Sequence, residues 1–153
     1  MFQYDLEHIL SYYITVTPPE MMGAVPDGLR LHFYITGGEI TGPKVFGKVR
    51  PVGADWVNVR RDGIALIDVK SVLQTQDGAL IYVTVDGTAD LGESAYEQTL
   101  AGTPPPSPTR FRTFPRFHTA HPQYMWLNRL HGLGIGEASF NQFRVAYDVY
   151  AVR

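Results

Sequence analysis

Two Asp-Gly pairs interrupt the stretch Arg61-Asp-Gly-Ile-Ala-Leu-Ile-Asp-Val-Lys-Ser-Val-Leu-Gln-Thr-Gln-Asp-Gly-Ala-Leu-Ile-Tyr-Val-Thr-Val85. Around each pair, apolar and polar residues tend to alternate, and a period of two is typical of a half-buried β-strand. Asp-Gly supplies the positive φ angles of a type I′ turn, so Asp62-Gly63 and Asp77-Gly78 each predict an antiparallel hairpin with a two-residue loop. The stretch therefore predicts three consecutive antiparallel strands.

The same alternation extends through most of the chain. Gly37-Gly38 predicts a further hairpin, whereas Asp86-Gly87 is consistent with the end of a strand. A long meander tends to curl and close, because closure removes exposed strand edges. We therefore predict an all-β fold, a single antiparallel meander that closes into a β-barrel of about 8–10 strands. The predicted strands are Tyr4–Thr17, Gly28–Thr36, Glu39–Val49, Ala54–Arg61, Ile64–Gln76, Ala79–Val85, Phe111–Thr119, Tyr124–Leu133 and Phe143–Val152.

Length and composition restrict the class of protein. A chain of 153 residues fits one domain, so a single β-barrel domain over residues 1–153 is expected. The formal net charge of -2 and the lack of a basic run argue against a nucleic-acid partner. The N-terminus shows no signal-like pattern and no run of about 18 apolar residues occurs, so no membrane association is expected. A cytoplasmic, soluble protein is the resulting prediction.

Metal and cofactor motifs are weak in this sequence. The chain has no cysteine, which excludes disulfides, thiolate metal sites and a cysteine nucleophile. His118 and His121 are three residues apart, a spacing that suits a helix better than a strand, and no carboxylate stands near them at ligand spacing. The glycines of 132–136 lack the full G-x-G-x-x-G pattern. No metal and no cofactor are therefore expected.

The segment from Gly92 to Arg110 breaks the alternation. Residues Glu93–Leu100 are compatible with a short helix, and the proline-rich stretch Pro104–Pro108 follows. Proline cannot donate a ladder hydrogen bond and favours extended, solvated backbone. This insertion is either a lid or an oligomer contact, or else a variable surface loop.

Counting outward from the two predicted loops assigns side chains to the faces of the sheet. Two-residue loops would pair Asp55 with Lys70 and would bring both, with Asp68, to one face. That face is the better candidate for the interior, because its other members are mostly apolar. They are Val57, Val59, Leu66, Val72, Gln74, Ile81, Val83 and Val85.

Asp55, Asp68 and Lys70 are consequently the candidate catalytic residues. Charges in an apolar lumen need partners, and Asp55 opposite Lys70 is placed for a cross-strand ion pair. Asp68 is left without one, so a raised pKa and a role as general acid or base are expected of it. The alternative is a structural triad that fixes strand register, or a cluster at the barrel mouth in contact with water.

Aromatic and amide side chains near the C-terminus are candidates for ligand binding. On the predicted strand, Tyr124, Trp126 and Asn128 share one side, and an amide and an indole N–H could orient a ligand oxygen. Tyr and Trp are also good strand residues that often only pack a core. Both interpretations remain open.

Several short motifs together resemble the domain-of-unknown-function family 3237, also called the UPF0311 group. They are Gly37-Gly-Glu-Ile-Thr-Gly-Pro43, Gly53-Ala-Asp-Trp56, Arg60-Arg-Asp-Gly63, Thr75-Gln-Asp-Gly78 and Tyr124-Met-Trp-Leu-Asn128. The resemblance spans nearly the whole chain and implies a lipocalin-like (calycin) barrel. It supplies no established catalytic residue, but it adds the motif positions Trp56 and Arg60 to the candidate ligand-binding residues.

Two functional hypotheses follow. The first is a barrel that binds a small molecule of aromatic or secondary metabolism, with lyase, isomerase or cyclase chemistry as its enzymatic form. The second is a non-catalytic interaction protein, a homodimer that buries the face carrying Trp56, Ile67, Leu73 and Tyr82. The two are compatible, because many small barrels form homo-oligomers.

Overall fold

Antiparallel strands make up most of the computed structural model, which describes residues 1–153. Two helical segments interrupt them, an α-helix α1 (Ala95–Leu100) and a 3-10 helix (Pro122–Arg129). The strands are β1 (Leu6–Val16), β2 (Glu20–Val25), β3 (Gly28–Thr41), β4 (Gly47–Val59), β5 (Ile64–Thr75), β6 (Leu80–Asp90), β7 (Thr109–His118), β8 (Gly132–Ser139) and β9 (Arg144–Val152). No helix has the length and apolar composition needed to cross a membrane.

The sheet closes on itself. Each strand from β3 to β9 pairs with the next, and β1 pairs with both β9 and β3. Eight strands therefore form a closed antiparallel barrel, while β2 is an additional strand that pairs with β3. The predicted all-β meander and its closure are confirmed. Closure satisfies the backbone groups that an open edge would leave unpaired.

The predicted hairpin at Gly37-Gly38 is wrong. Strand β3 runs through both glycines and bends there, and the chain reverses direction later, between Thr41 and Gly47. At this bend β3 begins to pair with β1. A Cβ on Gly38 would lie 2.0 Å from the Tyr13 carbonyl oxygen, so glycine is needed for close approach of two backbones. The same residue type serves a turn or a bulge, and the local pattern does not distinguish them.

Three further elements differ from the prediction. The segment after His121 is the 3-10 helix and not a strand; Pro122 stands at its first turn, where its missing N–H is not needed. The strand that follows is β8. Strand β6 continues past Asp86-Gly87 to Asp90, and β2 was not predicted.

Hairpin geometry also overturns the predicted register. The Arg60 N–H donates to the Ile64 oxygen at 2.9 Å, and the Gly63 N–H donates to the Arg60 oxygen at 3.0 Å. Gly63 has a φ of 82°, so the loop is a three-residue one that ends in a left-handed glycine. The loop at Gly78 has the same arrangement, since its φ is 90° and Thr75 pairs with Ala79.

One additional loop residue reverses the faces of β5. The structure pairs Ala54 with Lys70 and Asp55 with Val69, one position away from the prediction. Because side chains alternate along a strand, a shift of one residue moves every side chain to the other face. Inward-facing residues of β5 are therefore Ala65, Ile67, Val69, Ser71 and Leu73, and the predicted homodimer face, which included Ile67 and Leu73, does not exist in that composition.

The barrel has a filled end and an open end. At the filled end, the 3-10 helix and the β5–β6 turn cover a core of fully buried side chains. At the open end, the mouth, the interior is a cavity bordered by the β6–β7 insertion and the β8–β9 turn. Fully buried side chains of the core include Ile9, Leu10, Ile40, Val45, Leu73, Ile81, Phe117 and Leu127.

Candidate functional site

The cavity at the mouth has a volume of about 500 Å³. Its walls are mainly the inward-facing apolar side chains of the barrel strands. Pockets of this size with a few placed polar groups are typical of small-molecule sites. Apolar side chains that line it include Ile14, Leu31, Phe33, Ile35, Val57, Ile67, Val69, Val85 and Phe111.

Asp55 is the acidic residue in the wall of this cavity. The register aligns it across neighbouring strands with Phe33 of β3 and with Val69 of β5, and Val69 in turn pairs with Val85 of β6. These three apolar neighbours are buried. Asp55 keeps part of its surface accessible because it borders the cavity, while the surrounding protein shields it from bulk solvent.

Burial raises the pKa of Asp55 to about 7. The Asp68 backbone N–H donates to Asp55 Oδ1 at 3.2 Å and favours the ionised form, but this hydrogen bond does not offset the loss of hydration. The charge of Asp68 raises the pKa further, and no salt bridge within the chain compensates Asp55. Near neutral pH the carboxyl is thus present in both protonation states, as proton transfer requires.

Asp68 and Lys70 lie on the outer surface of β5, so the predicted Asp55–Lys70 ion pair is wrong. Lys70 Nζ donates to Asp68 Oδ1 at 2.5 Å, and both side chains are nearly half exposed. This hydrogen bond raises the pKa of Lys70. The carboxyl left without a cation in the barrel interior is Asp55 and not Asp68, because the three-residue loop reverses β5.

Trp56 and Arg60 are also outside the cavity. The Trp56 ring contacts His32 and Tyr34 on the outer face of β3 and β4, with ring centroids 4.7 and 6.1 Å apart. Arg60 is exposed and pairs with Asp62 in the β4–β5 turn. Neither side chain therefore enters the cavity that Asp55 lines.

Tyr124, Trp126 and Asn128 lie at the filled end. The Tyr124 hydroxyl donates to Asp77 Oδ1 at 3.1 Å. The Asn128 amide accepts from the Thr119 N–H at 2.8 Å and donates to the Thr119 oxygen at 2.9 Å. Trp126 packs against the core, so all three side chains have contacts that a structural role explains, and none lines the cavity.

The insertion lies at the mouth. Thr99 of α1 and residues 102–105 line the cavity. The Leu91 N–H donates to the Gly63 oxygen at 3.0 Å, and the Arg61 guanidinium lies 5.0 Å from the centroid of the Tyr96 ring. These contacts hold the insertion against the β4–β5 turn at the mouth of the cavity. A lid would have to lie at this mouth.

Several polar residues of the cavity were missed from the sequence, Tyr147 and Thr113 among them. Tyr147 of β9 is buried, and burial raises its pKa well above the usual range. Its ring lies 3.9 Å, centroid to centroid, from that of Tyr12. Thr113 of β7 also lines the cavity. A signal was present, because the period of two along the predicted strand Phe111–Thr119 places Thr113 on the same face as Phe111. In the structure that face of β7 is the buried one.

Comparison with known proteins gives a family model that matches residues 4–152, described as a protein of unknown function (DUF3237). A UPF0311 protein of Rhodopseudomonas palustris (strain TIE-1) is 37% identical over 131 residues, which cover 85% of this chain and 84% of that protein. A UPF0311 protein of Bradyrhizobium diazoefficiens is 32% identical over 149 residues, 97% of this chain and 96% of that protein.

Solved structures show the same architecture. A β-barrel-like protein from Acinetobacter baumannii AYE superposes with a TM-score of 0.84 at 29% identity, over 100% of this chain and 98% of that chain. An enzyme from Penicillium herquei superposes with a TM-score of 0.71 at 24% identity, over 98% of this chain and 96% of that chain. The latter likeness concerns the fold alone.

Proposed function

This chain belongs to the DUF3237 family of β-barrel proteins, and we propose that it binds a small molecule in the barrel cavity and exchanges a proton with it through Asp55. One observation carries the proposal. A carboxyl whose pKa is about 7 lines an apolar cavity of about 500 Å³. Titratable groups with strongly shifted pKa values in a cleft are preferred candidates for functional residues.

The dimensions of the cavity support a ligand of modest size. Eight-stranded barrels have interiors that side chains fill or that hold one small ligand. Here side chains fill one end only, and the mouth is bordered by proline and phenylalanine side chains such as Pro104, Pro105 and Phe140. A mainly apolar, ring-containing compound matches these walls.

Asp55 supplies the chemistry in this proposal. When protonated it can donate to a carbonyl or ether oxygen of the ligand, and when ionised it can accept a proton from a hydroxyl or an acidic C–H group. Reactions that remove a proton from one ligand atom and return it to another, of lyase, isomerase or cyclase type, use such a group. The Penicillium herquei enzyme shows that a barrel of this fold occurs in an enzyme; residue roles do not transfer at 24% identity.

Proton linkage tests the proposal with a surrogate for the natural ligand. We suggest 2-naphthol as the probe, with binding measured by calorimetry at pH 7 in buffers of different ionisation enthalpy. An aromatic ligand displaces water from around Asp55 and raises its pKa further, so binding is expected to take up about half a proton per site. Asp55→Asn is expected to bind without proton uptake.

Asp68→Asn is the matched control, because Asp68 carries the same charge on the outer surface. It should retain proton uptake, displaced slightly to lower pH because loss of the Asp68 charge removes a minor contribution that raises the pKa of Asp55. Absence of 2-naphthol binding, proton uptake that persists in Asp55→Asn, or its loss in Asp68→Asn would contradict the proposed function.

A further inference from the structure

The hydroxyl group of Tyr147 is a polar group of the cavity that has no partner in the protein. Side chains of β9 alternate, and Tyr147 shares the buried, inward face with Val149 and Ala151. Tyr147 lines the cavity, and burial raises its pKa with no contribution from a hydrogen bond. The unpaired side-chain oxygens that are completely buried are those of Tyr12, Asn58, Ser71 and Thr113. The Tyr147 oxygen is not one of these, so it keeps surface that a ligand in the cavity can reach.

Packing holds the Tyr147 ring along the inner wall of the barrel. The ring lies 3.9 Å from the Tyr12 ring and 5.7 Å from the Phe111 ring, centroid to centroid. Gly136 pairs with Tyr147, and a Cβ on this glycine would lie 2.3 Å from Tyr147 Cβ. A Cβ on Gly134 would lie 3.5 Å from Tyr147 Cδ2, so the ring extends along β8 away from the mouth. The hydroxyl is therefore held in place before a ligand binds, as an effective hydrogen-bond donor requires.

Asp55 and Tyr147 lie on nearly opposite walls of the cavity. Strand β9 is three strands away from β4 in the eight-stranded barrel, by way of β1 and β3. Arg144 is the basic residue that lines the cavity, and its guanidinium lies over the ring of Tyr13, 4.1 Å from the centroid. A ligand between Asp55 and Tyr147 thus meets a carboxyl that exchanges its proton and a neutral phenol, with no cation in the interior.

This pair of groups suits removal of a proton from a carbon next to a carbonyl group. When ionised Asp55 takes such a proton, the C–H bond breaks and its electron pair forms an enolate, whose negative charge lies mainly on the oxygen. A preorganised donor at that oxygen stabilises the charge as it develops. Burial keeps Tyr147 neutral, so it retains its own proton and donates throughout. The proton returns from Asp55 to the enolate, so the step needs no oxidant and no further reactant.

We infer that the Tyr147 hydroxyl donates a hydrogen bond to a carbonyl oxygen of the ligand, and that the ligand is an uncharged ketone with an acidic C–H group next to this carbonyl. The inference rests on the proposed function and names its substrate class. In this assignment Asp55 moves the proton, and Tyr147 holds the oxygen on which the charge collects. A ring-containing ketone also matches the mainly apolar walls of the cavity.

Proton exchange in 2-tetralone tests the assignment. This ketone has the two-ring carbon skeleton of 2-naphthol, with a carbonyl in place of the hydroxyl. Replacement by deuterium of the protons between its aromatic ring and its carbonyl, followed by NMR in deuterium oxide near neutral pH, reports proton removal. Wild-type protein is expected to accelerate this exchange above the rate in buffer. Asp55→Asn should return it to the buffer rate, and Tyr147→Phe should lower the protein-dependent rate about 100-fold.

Binding and infrared measurements test the hydrogen bond itself. Tyr147→Phe retains the ring and should bind 2-tetralone about fivefold more weakly than wild type, the loss of one neutral hydrogen bond. Tetralin, which lacks the oxygen, should bind equally to both proteins and so shows that the cavity is intact. The carbonyl stretching band of bound 2-tetralone should lie at lower wavenumber in wild type than in Tyr147→Phe.

Tyr12→Phe is the matched control. It removes an unpaired hydroxyl from the neighbouring strand, on a residue that does not line the cavity. The exchange rate, the affinity for 2-tetralone and the position of the carbonyl band should all remain at their wild-type values.

The outcomes separate this inference from the proposed function. The inference is overturned if wild-type protein does not accelerate exchange, if the carbonyl band and the affinity are unchanged in Tyr147→Phe, or if Tyr12→Phe has the same effect. The proposed function then stands if 2-naphthol binds with Asp55-dependent proton uptake. If neither 2-naphthol nor 2-tetralone binds to wild-type protein, both proposals fail.

Discussion

Replacing Asp55 by asparagine is expected to remove a fall in stability between pH 5 and pH 8. The pKa of this carboxyl rises from 3.8 to about 7 on folding. Between these values the folded state binds a proton that the unfolded state has released, so the free energy of unfolding decreases as pH rises and becomes constant above about pH 8. Asparagine has nearly the same shape and does not titrate.

The magnitude follows from the size of the shift. A difference of about three pKa units corresponds to about 4 kcal/mol in total, of which about 3 kcal/mol falls between pH 5 and pH 8. A typical domain has a free energy of unfolding of about 5–15 kcal/mol, so this effect is readily measured. The other groups with shifted pKa values contribute outside this window, Glu7 and Asp77 at acidic pH, Lys70 and the tyrosines at alkaline pH.

Urea denaturation at intervals from pH 5 to pH 9 is the assay, with the midpoint and slope fitted at each pH. The difference between wild type and Asp55→Asn isolates Asp55, because both proteins carry all five histidines. Asp68→Asn should follow the wild-type curve to within about 1 kcal/mol, since its ion pair with Lys70 is exposed. A wild-type curve that is flat over this range, or the same fall in Asp55→Asn, would refute the reasoning.

Three other substitutions, one of them with a matched control, test the fold and the boundaries of the site. Leu73→Ala at the filled end should lower the free energy of unfolding by about 2–5 kcal/mol in urea titrations, because Leu73 is fully buried. Gly38→Ala should disrupt the pairing of β1 with β3 and increase amide exchange in β1, whereas Gly78→Ala, where no atom lies within 4 Å of an added Cβ, should retain that pairing. Tyr124→Phe should lower the melting temperature slightly through loss of the hydrogen bond to Asp77, with no change in 2-naphthol affinity in calorimetry.

Local sequence patterns predict much of the fold of this protein. Alternation of apolar and polar residues predicts most of the strands, and the strands imply a closed barrel because an open meander would leave edges. The same patterns locate the insertion after β6 and include Asp55 among the candidate residues of the interior. A glycine pair such as Gly37-Gly38 can form a hairpin turn or a bend within one strand. The sequence alone predicts the hairpin here, whereas β3 continues through both glycines.

Tertiary structure decides which carboxyl enters the cavity. Asp-Gly is compatible with loops of two or three residues, and the pairing of Arg60 with Ile64 selects three. That one residue turns Asp68 and Lys70 outward and leaves Asp55 aligned with Phe33 and Val69. The pKa of Asp55 arises from this burial, so it depends on residues from three strands. The alternation of apolar and polar residues along the sequence determines that a barrel forms. Strand register determines which of its charges lies inside, because a shift of one residue exchanges the two faces of a strand.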